Sequence, residues 1–137
     1  MATEKALQLV SFPAAADLSG KQYHIVDMES DGEVTFTTAA TDVPVGVLQN
    51  KPAAAGRAAS VAIGGITKVE VGSTSTGGGF AIGTRLVSDG AGRVVEFVKT
   101  NKTYYVLGRA LEAATTSTAG YSVISMQLTY EGIGTTV

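Results

Sequence analysis

Cysteine is absent from the 137-residue sequence, which removes disulfide scaffolds, thiolate nucleophiles and cysteine-ligated zinc or iron–sulfur sites in one step. Long hydrophobic runs are missing too. Nothing approaches the roughly 18 to 20 apolar residues a membrane span needs, and Met1-Ala-Thr-Glu-Lys-Ala-Leu7 shows no basic segment ahead of an apolar stretch. A soluble chain made in the cytoplasm, with no membrane partner, is expected. Charge is sparse: ten Lys and Arg stand singly against twelve Asp and Glu, for a formal net charge of −2. A nucleic-acid binder needs a basic patch to neutralise phosphates, and none is visible, so no nucleic-acid partner is expected.

What is present is small and β-branched. Val and Thr suit a pleated, half-buried surface. The 17 glycines and only three prolines point to many tight turns in an ordered chain. The length fits one domain with a modest core. One module is written twice. It reads Val45-Gly-Val-Leu-Gln-Asn50, then Lys51-Pro-Ala-Ala-Ala-Gly-Arg57, then Ser60-Val-Ala-Ile-Gly-Gly-Ile-Thr-Lys-Val-Glu-Val71. It returns as Val106-Leu-Gly-Arg-Ala-Leu-Glu112, then Ala113-Ala-Thr-Thr-Ser-Thr-Ala-Gly120, then Tyr121-Ser-Val-Ile-Ser-Met-Gln-Leu-Thr-Tyr130. Each copy is a short apolar strand, a loop of small residues and a longer strand with alternating sides. Neither holds an acid–base pair, a ligand cluster or a phosphate loop. A structural or binding element is expected, not an enzyme.

Residues 1–17 read as an extended N-terminal arm and residues 18–137 as the β-rich domain. In the arm, Leu7, Leu9, Val10 and Phe12 form a short apolar run ended by Pro13 and Ala14-Ala-Ala-Asp17. Such an arm can add as a strand to a partner's open edge, or it can be the first strand of the domain itself. Asp31-Gly32 sits between the β-rich runs Lys21–Met28 and Glu33–Thr37, a strong hairpin signal, and Asp89-Gly-Ala-Gly92 marks a second hairpin. Val61, Ile63, Thr67, Val69 and Val71 share one parity and should face a core, leaving Ala62, Ile66, Lys68 and Glu70 mostly wet. Gly64-Gly65 should interrupt that strand with a bulge or bend. Gly72–Gly79 reads as a flexible loop, closed by one helical turn at Phe80-Ala-Ile-Gly-Thr84. Short strands at close spacing, with almost no helical periodicity, imply an all-β fold, a single compact β-barrel or β-sandwich-like domain.

Few residues invite chemistry. Asp27-Met-Glu29-Ser-Asp31-Gly32-Glu33 imitates the start of an EF-hand loop, but the closing position is Thr38 and no helices flank it, so a solvated acidic hairpin tip is expected. His24 is the sole histidine. No nucleophile-elbow pattern accompanies it, and a structural role is expected. Gly77-Gly-Gly-Phe-Ala-Ile-Gly83 lacks the Lys-Ser/Thr of a phosphate loop. Phe97, Tyr104 and Tyr105 fit core packing as well as stacking. No catalytic, cofactor-binding or metal-ligating residue is assigned, and no cofactor is expected.

Several segments resemble the small capsid decoration, or cement, proteins of tailed bacteriophages. They are Gly46-Val-Leu-Gln-Asn-Lys-Pro-Ala-Ala-Ala-Gly56, Val61-Ala-Ile-Gly-Gly-Ile-Thr-Lys-Val69, Gly83-Thr-Arg-Leu-Val-Ser-Asp-Gly-Ala-Gly-Arg-Val-Val95 and Gly108-Arg-Ala-Leu-Glu-Ala-Ala114. The resemblance runs from about Val45 to Leu128. It implies a β-rich protein on the outer capsid surface of the virion, a homotrimer at three-fold positions that clamps the major capsid protein lattice and does no chemistry. In that setting Leu7, Leu9, Val10 and Phe12 become candidate capsid or protomer contacts. A carbohydrate- or receptor-binding module on a virion surface is the alternative.

Overall fold

A computed structural model of the chain describes residues 2, 5–29, 32–72, 79–97, 104–114 and 122–134. Among them run nine strands: β1 (Lys5–Pro13), β2 (Ile25–Met28), β3 (Val34–Phe36), β4 (Pro44–Leu48), β5 (Ala58–Glu70), β6 (Arg85–Ser88), β7 (Val94–Glu96), β8 (Tyr104–Ala110) and β9 (Val123–Gly134). They form one curled sheet in the order β3-β2-β4-β5-β9-β8-β6-β7, with β1 on the other edge of β5. All strand pairings are antiparallel. The all-β class expected from the sequence is what the structure shows. The glycine-rich stretch 73–78 and the Ser30-Asp31 hairpin tip lie outside the described residues.

The written module is the second half of a larger repeat. Leu9 to Pro13 pair with Ala62 to Ala58, and Ile66 to Glu70 pair with Gln127 to Val123 in the same way. The β2–β3 hairpin sets Val26 against Phe36 and Met28 against Val34; the β6–β7 hairpin sets Leu86 against Glu96 and Ser88 against Val94. Val26 then pairs with Gly46, as Leu86 pairs with Gly108. Leu48 closes on Val61, as Ala110 closes on Met126. Isolated parallel bridges Ala14–Val34 and Val71–Val94 curl each set of strands into a small barrel-like unit. Loop bonds agree: Tyr23 N donates to Leu48 O and Gly83 N to Ala110 O, both at 2.7 Å. Even the left-handed residues correspond, Tyr23 with Gly83 and Gly65 with Tyr130.

β5 serves both units. Its first half closes the first repeat and its second half opens the second. Val61 and Ala62 pair with β4, whereas Ile66 to Glu70 pair with β9 along that same edge. The hand-over falls at Gly64-Gly65, where Gly65 takes φ +92°. The expected glycine irregularity is there, but the strand runs through it unbroken.

Each repeat fills its own core with equivalent positions. Leu18, Val26, Val34, Leu48, Ala59 and Val61 are buried in the first, and Phe80, Leu86, Val94, Ala110, Ile124 and Met126 take their places in the second. The Leu48–Val61 pair becomes Ala110–Met126, so the larger side chain moves from the short strand to the closing strand. Ala62, expected to be wet, is fully buried. With Ile25 and Val47 it forms an apolar outer face on the first repeat that joins the core of the second. The same three positions on the second repeat are Arg85, Arg109 and Gln127, all partly or fully exposed. A terminal unit with a polar outer face is what a stacked repeat needs to stay in water. There Arg109 grips Glu131 with Nε and Nη2 at 2.6 and 2.7 Å and donates through Nη1 to Gly83 O at 3.0 Å.

The N-terminal arm is not confirmed; of the two readings open for it, the described residues fit the first strand of the domain: Lys5 to Pro13 form β1, hydrogen-bonded along β5, and Ala14 N donates to Arg57 O at 2.8 Å. The apolar run extends because a partner strand more than forty positions away satisfies its backbone. Phe80–Thr84 makes no helical turn. Phe80 bridges Ala114, and Gly83 at φ +86° sits in a tight turn closed by Thr84 N on Ala81 O at 3.3 Å.

Candidate functional site

The most polar cluster lies where the two repeats meet. The His24 ring is buried, with Nδ1 3.2 Å from Gln22 O and Nε2 3.0 Å from Glu70 Oε2. Arg93 Nε lies 3.7 Å from the same carboxylate oxygen. Burial lowers the His24 pKa, opposed in part by its bond to Gln22 and by the Glu70 charge. Alongside, Ile25 N donates to Gly92 O at 2.6 Å. A β-carbon on Gly92 would stand 3.1 Å from His24 Cβ, so the β6–β7 turn seats flush on the first repeat. Thr37 Oγ1 and Ser88 Oγ meet at 2.6 Å across the same seam. The cluster orients no nucleophile; it fastens one repeat to the other.

The acidic hairpin follows. Asp42 Oδ2 accepts the N–H groups of Thr38 and Ala39, each at 3.0 Å, and caps that turn. Asp27 stands nearby with its pKa pushed up to about 6, by burial first and then by Asp42 and Glu29. Glu29 is exposed and Glu33 half-buried. Among the described residues, no group of three or more His, Cys, Asp or Glu is placed to hold a metal ion.

The β4–β5 loop forms an open cleft of about 460 Å³ lined by Asn50, Lys51, Pro52, Ala53, Arg57 and Ala58. Sequence reasoning saw only isolated cations here. Asn50 draws the loop closed: its Nδ2 donates to Ala58 O and its Oδ1 accepts from Ser60 N, both at 2.9 Å. An asparagine ten residues before a serine is no recognisable motif, so only the equivalent Glu112–Ser125 bond at 2.7 Å could have hinted at it.

The four candidate contacts on β1 divide. Phe12 packs against the first core and Leu7 against the second. Val10 is half-buried beside Val61. Leu9 is 52% exposed. Of the four, Leu9 alone is exposed; the other three are half-buried. Phe97 and Tyr104 pack edge to face, with centroids 6.3 Å apart.

The sequence profile of the phage cement proteins matches residues 4–128. No curated protein matches the chain. Among solved structures, the N base of the head fiber gp8.5 of bacteriophage phi29 is similar at a TM-score of 0.59 and 18% identity, over 91% of this chain and 98% of that one. That likeness is one of fold.

Proposed function

The chain belongs to the phage cement protein family, and from that premise we propose that it binds the outer surface of a phage head as a homotrimer at three-fold positions. There it stabilises the lattice of the major capsid protein. The role is mechanical and not enzymatic, with neither nucleic acid nor membrane as partner. One observation carries the reading: the family match spans both repeats, from the start of β1 into β9. Two barrel-like units sharing a strand make a stiff body, suited to bridging neighbouring subunits. Leu9, outward on β1, is the member of the β1 set offered to the capsid or a neighbouring protomer.

The test is co-sedimentation of the purified chain with expanded, empty heads, followed by thermal disruption of the heads. Saturable binding that raises the disruption temperature is expected, with Leu9→Asp weakening it while the melting temperature of the free protein holds. Heads that neither bind the chain nor gain stability refute the proposal. Selective binding on a glycan array would move the chain to the carbohydrate-binding alternative.

A further inference from the structure

The sole histidine, His24, is buried where the two repeats meet. Tyr23 corresponds to Gly83, so the counterpart of His24 is Thr84, half-buried where no third repeat follows. The repeat frame closes without an imidazole, and the ring belongs to the seam alone. Hydrogen bonding assigns the single proton of the neutral ring: Nδ1 donates to Gln22 O at 3.2 Å, which leaves Nε2 a bare acceptor. Nε2 stands 3.0 Å from Glu70 Oε2 and makes no hydrogen bond.

The elements around the ring are fixed by their own bonds. Glu70 N donates to Tyr23 O at 3.0 Å and Ile25 N to Gly92 O at 2.6 Å. Asp89 Oδ1 stiffens the β6–β7 turn by accepting Ala91 N and Arg93 N at 2.8 and 3.1 Å. That turn lies against the ring: a β-carbon on Gly92 would stand 3.2 Å from His24 Cδ2. Three charged groups face the ring: Lys21 from its own loop, Glu70 from β5 and Arg93 from the turn. Lys21 Nζ lies over the Phe36 ring, and Arg93 Nε already draws on Glu70 Oε2 at 3.7 Å. A second proton, on Nε2, brings a positive charge into a buried place beside two other cations. The nearest carboxylate is shared with Arg93, and turning the ring to aim Nε2–H at it presses on the Gly92 turn.

We propose that His24 is an acid-operated latch between the repeats: neutral, it lets the β6–β7 turn seat on the first repeat, and protonated, it loosens that turn. Burial holds the His24 pKa below its ordinary value; the Gln22 bond and the Glu70 charge oppose this, and Arg93 and Lys21 reinforce it. The folded state thus binds fewer protons than the unfolded one. The stability this gives is present above the ordinary histidine value of about 6.5 and is lost as pH falls through the folded value. Asp27 works in the opposite sense, being raised to about 6. The latch goes beyond the capsid reading and stands without it, since it lies inside this chain.

An NMR titration of the one imidazole in the full chain, from about pH 8 to about pH 4.5, tests it. The midpoint should fall below that of an ordinary histidine, and the Ile25 and Gly92 amide signals should move with the same midpoint. Glu70→Gln should push the midpoint lower still. Urea unfolding at about pH 7.5 and about pH 5 then compares Asp27→Asn with Asp27→Asn/His24→Gln, so that Asp27 does not mask the effect. The chain that keeps His24 should lose up to about thirtyfold more of its folding equilibrium constant, the ratio of protonated to neutral histidine in an unfolded chain at the lower pH. If the His24→Gln chain does not fold, the wild-type titration decides. The proposal is overturned by a midpoint at or above the ordinary value, by equal losses with and without the imidazole, or by Ile25 and Gly92 amides that do not follow the ring.

Discussion

Replacing Gly46 or Gly108 by alanine should destabilise the protein at two places by the same mechanism. Both glycines sit where a short strand passes closest to the closing strand of its repeat. A β-carbon at Gly46 would overlap the carbonyl oxygen of Ala62 and stand 2.7 Å from Val61 Cγ1. At Gly108 it would overlap the carbonyl oxygen of Gln127 and stand 2.8 Å from Met126 Cγ. The first obstacle in each case is backbone, so relief means moving β4 off β5 or β8 off β9. Overpacking of this kind costs about 1–3 kcal/mol, and a main-chain clash belongs at the top of that range. Restricting the unfolded chain returns about 0.4–1 kcal/mol, leaving a net loss of about 2 kcal/mol. For a domain of this size that lowers the melting temperature by roughly 6–10 °C. Gly20 is the control: nothing lies within 4 Å of its added β-carbon, so Gly20→Ala should melt at or slightly above wild type. Thermal unfolding followed by far-UV circular dichroism reads all three. Gly108→Ala melting within a degree or two of wild type would refute the close-approach argument.

Three further outcomes follow from the same structure. Thr37→Val should cost about 1–3 kcal/mol by stranding the Ser88 hydroxyl in the seam; adding Ser88→Ala should recover part of it, and a fully additive double variant in a denaturant cycle would show the pair uncoupled. Asp27 has a folded pKa raised from 3.8 to about 6, so the folded state holds more protons than the unfolded one between those values and stability falls as pH rises through that window. Asp27→Asn should therefore melt above wild type at pH 7, with the advantage shrinking toward pH 4; an advantage independent of pH would exclude titration of Asp27 as its source. Tyr130→Phe, which deletes the bond from Tyr130 Oη to Val45 O at 2.8 Å, should cost about 0.5–1.5 kcal/mol in chemical denaturation, and no loss would mean that water replaces the bond.

Local signals are legible in the sequence. Alternation along Val61–Val71 puts Val61, Thr67, Val69 and Val71 inward, with Ile63 of the same set only half-buried, and the Asp-Gly and Gly-rich turns mark both hairpins. What lay between distant segments was legible only in part. The repeat could be seen from Val45 onward but not before it, because the spacing of equivalent residues drifts. Ala14 and Val71 are 57 positions apart, Val26 and Leu86 are 60, Gly46 and Gly108 are 62, and Ala62 and Gln127 are 65. Turns of unequal length spoil any fixed period. Ala62 was assigned to water because alternation describes one sheet face, whereas its outer face meets a second core. The β4–β5 cleft is invisible for a similar reason: Lys51 and Arg57 are solitary in the text, and the loop that carries both is closed by Asn50 and by backbone bonds to Ala14 and Leu18. Glu70, which meets His24, is likewise set by the β5 register and not by any local pattern.

Sharing β5 has a mechanical consequence. Two domains joined by a linker can be pulled or cut apart, each surviving alone; here the boundary between repeats falls inside the hydrogen-bonded strand β5 and not in a linker. Opening the first unit strips β4 and β1 from β5, and opening the second strips β9 from that same strand. A load applied to either unit is thus carried directly into the other, and both should yield together in a single cooperative event. Under the proposed capsid role, a pull on one repeat would be shared by the other through β5 and not taken up at a hinge.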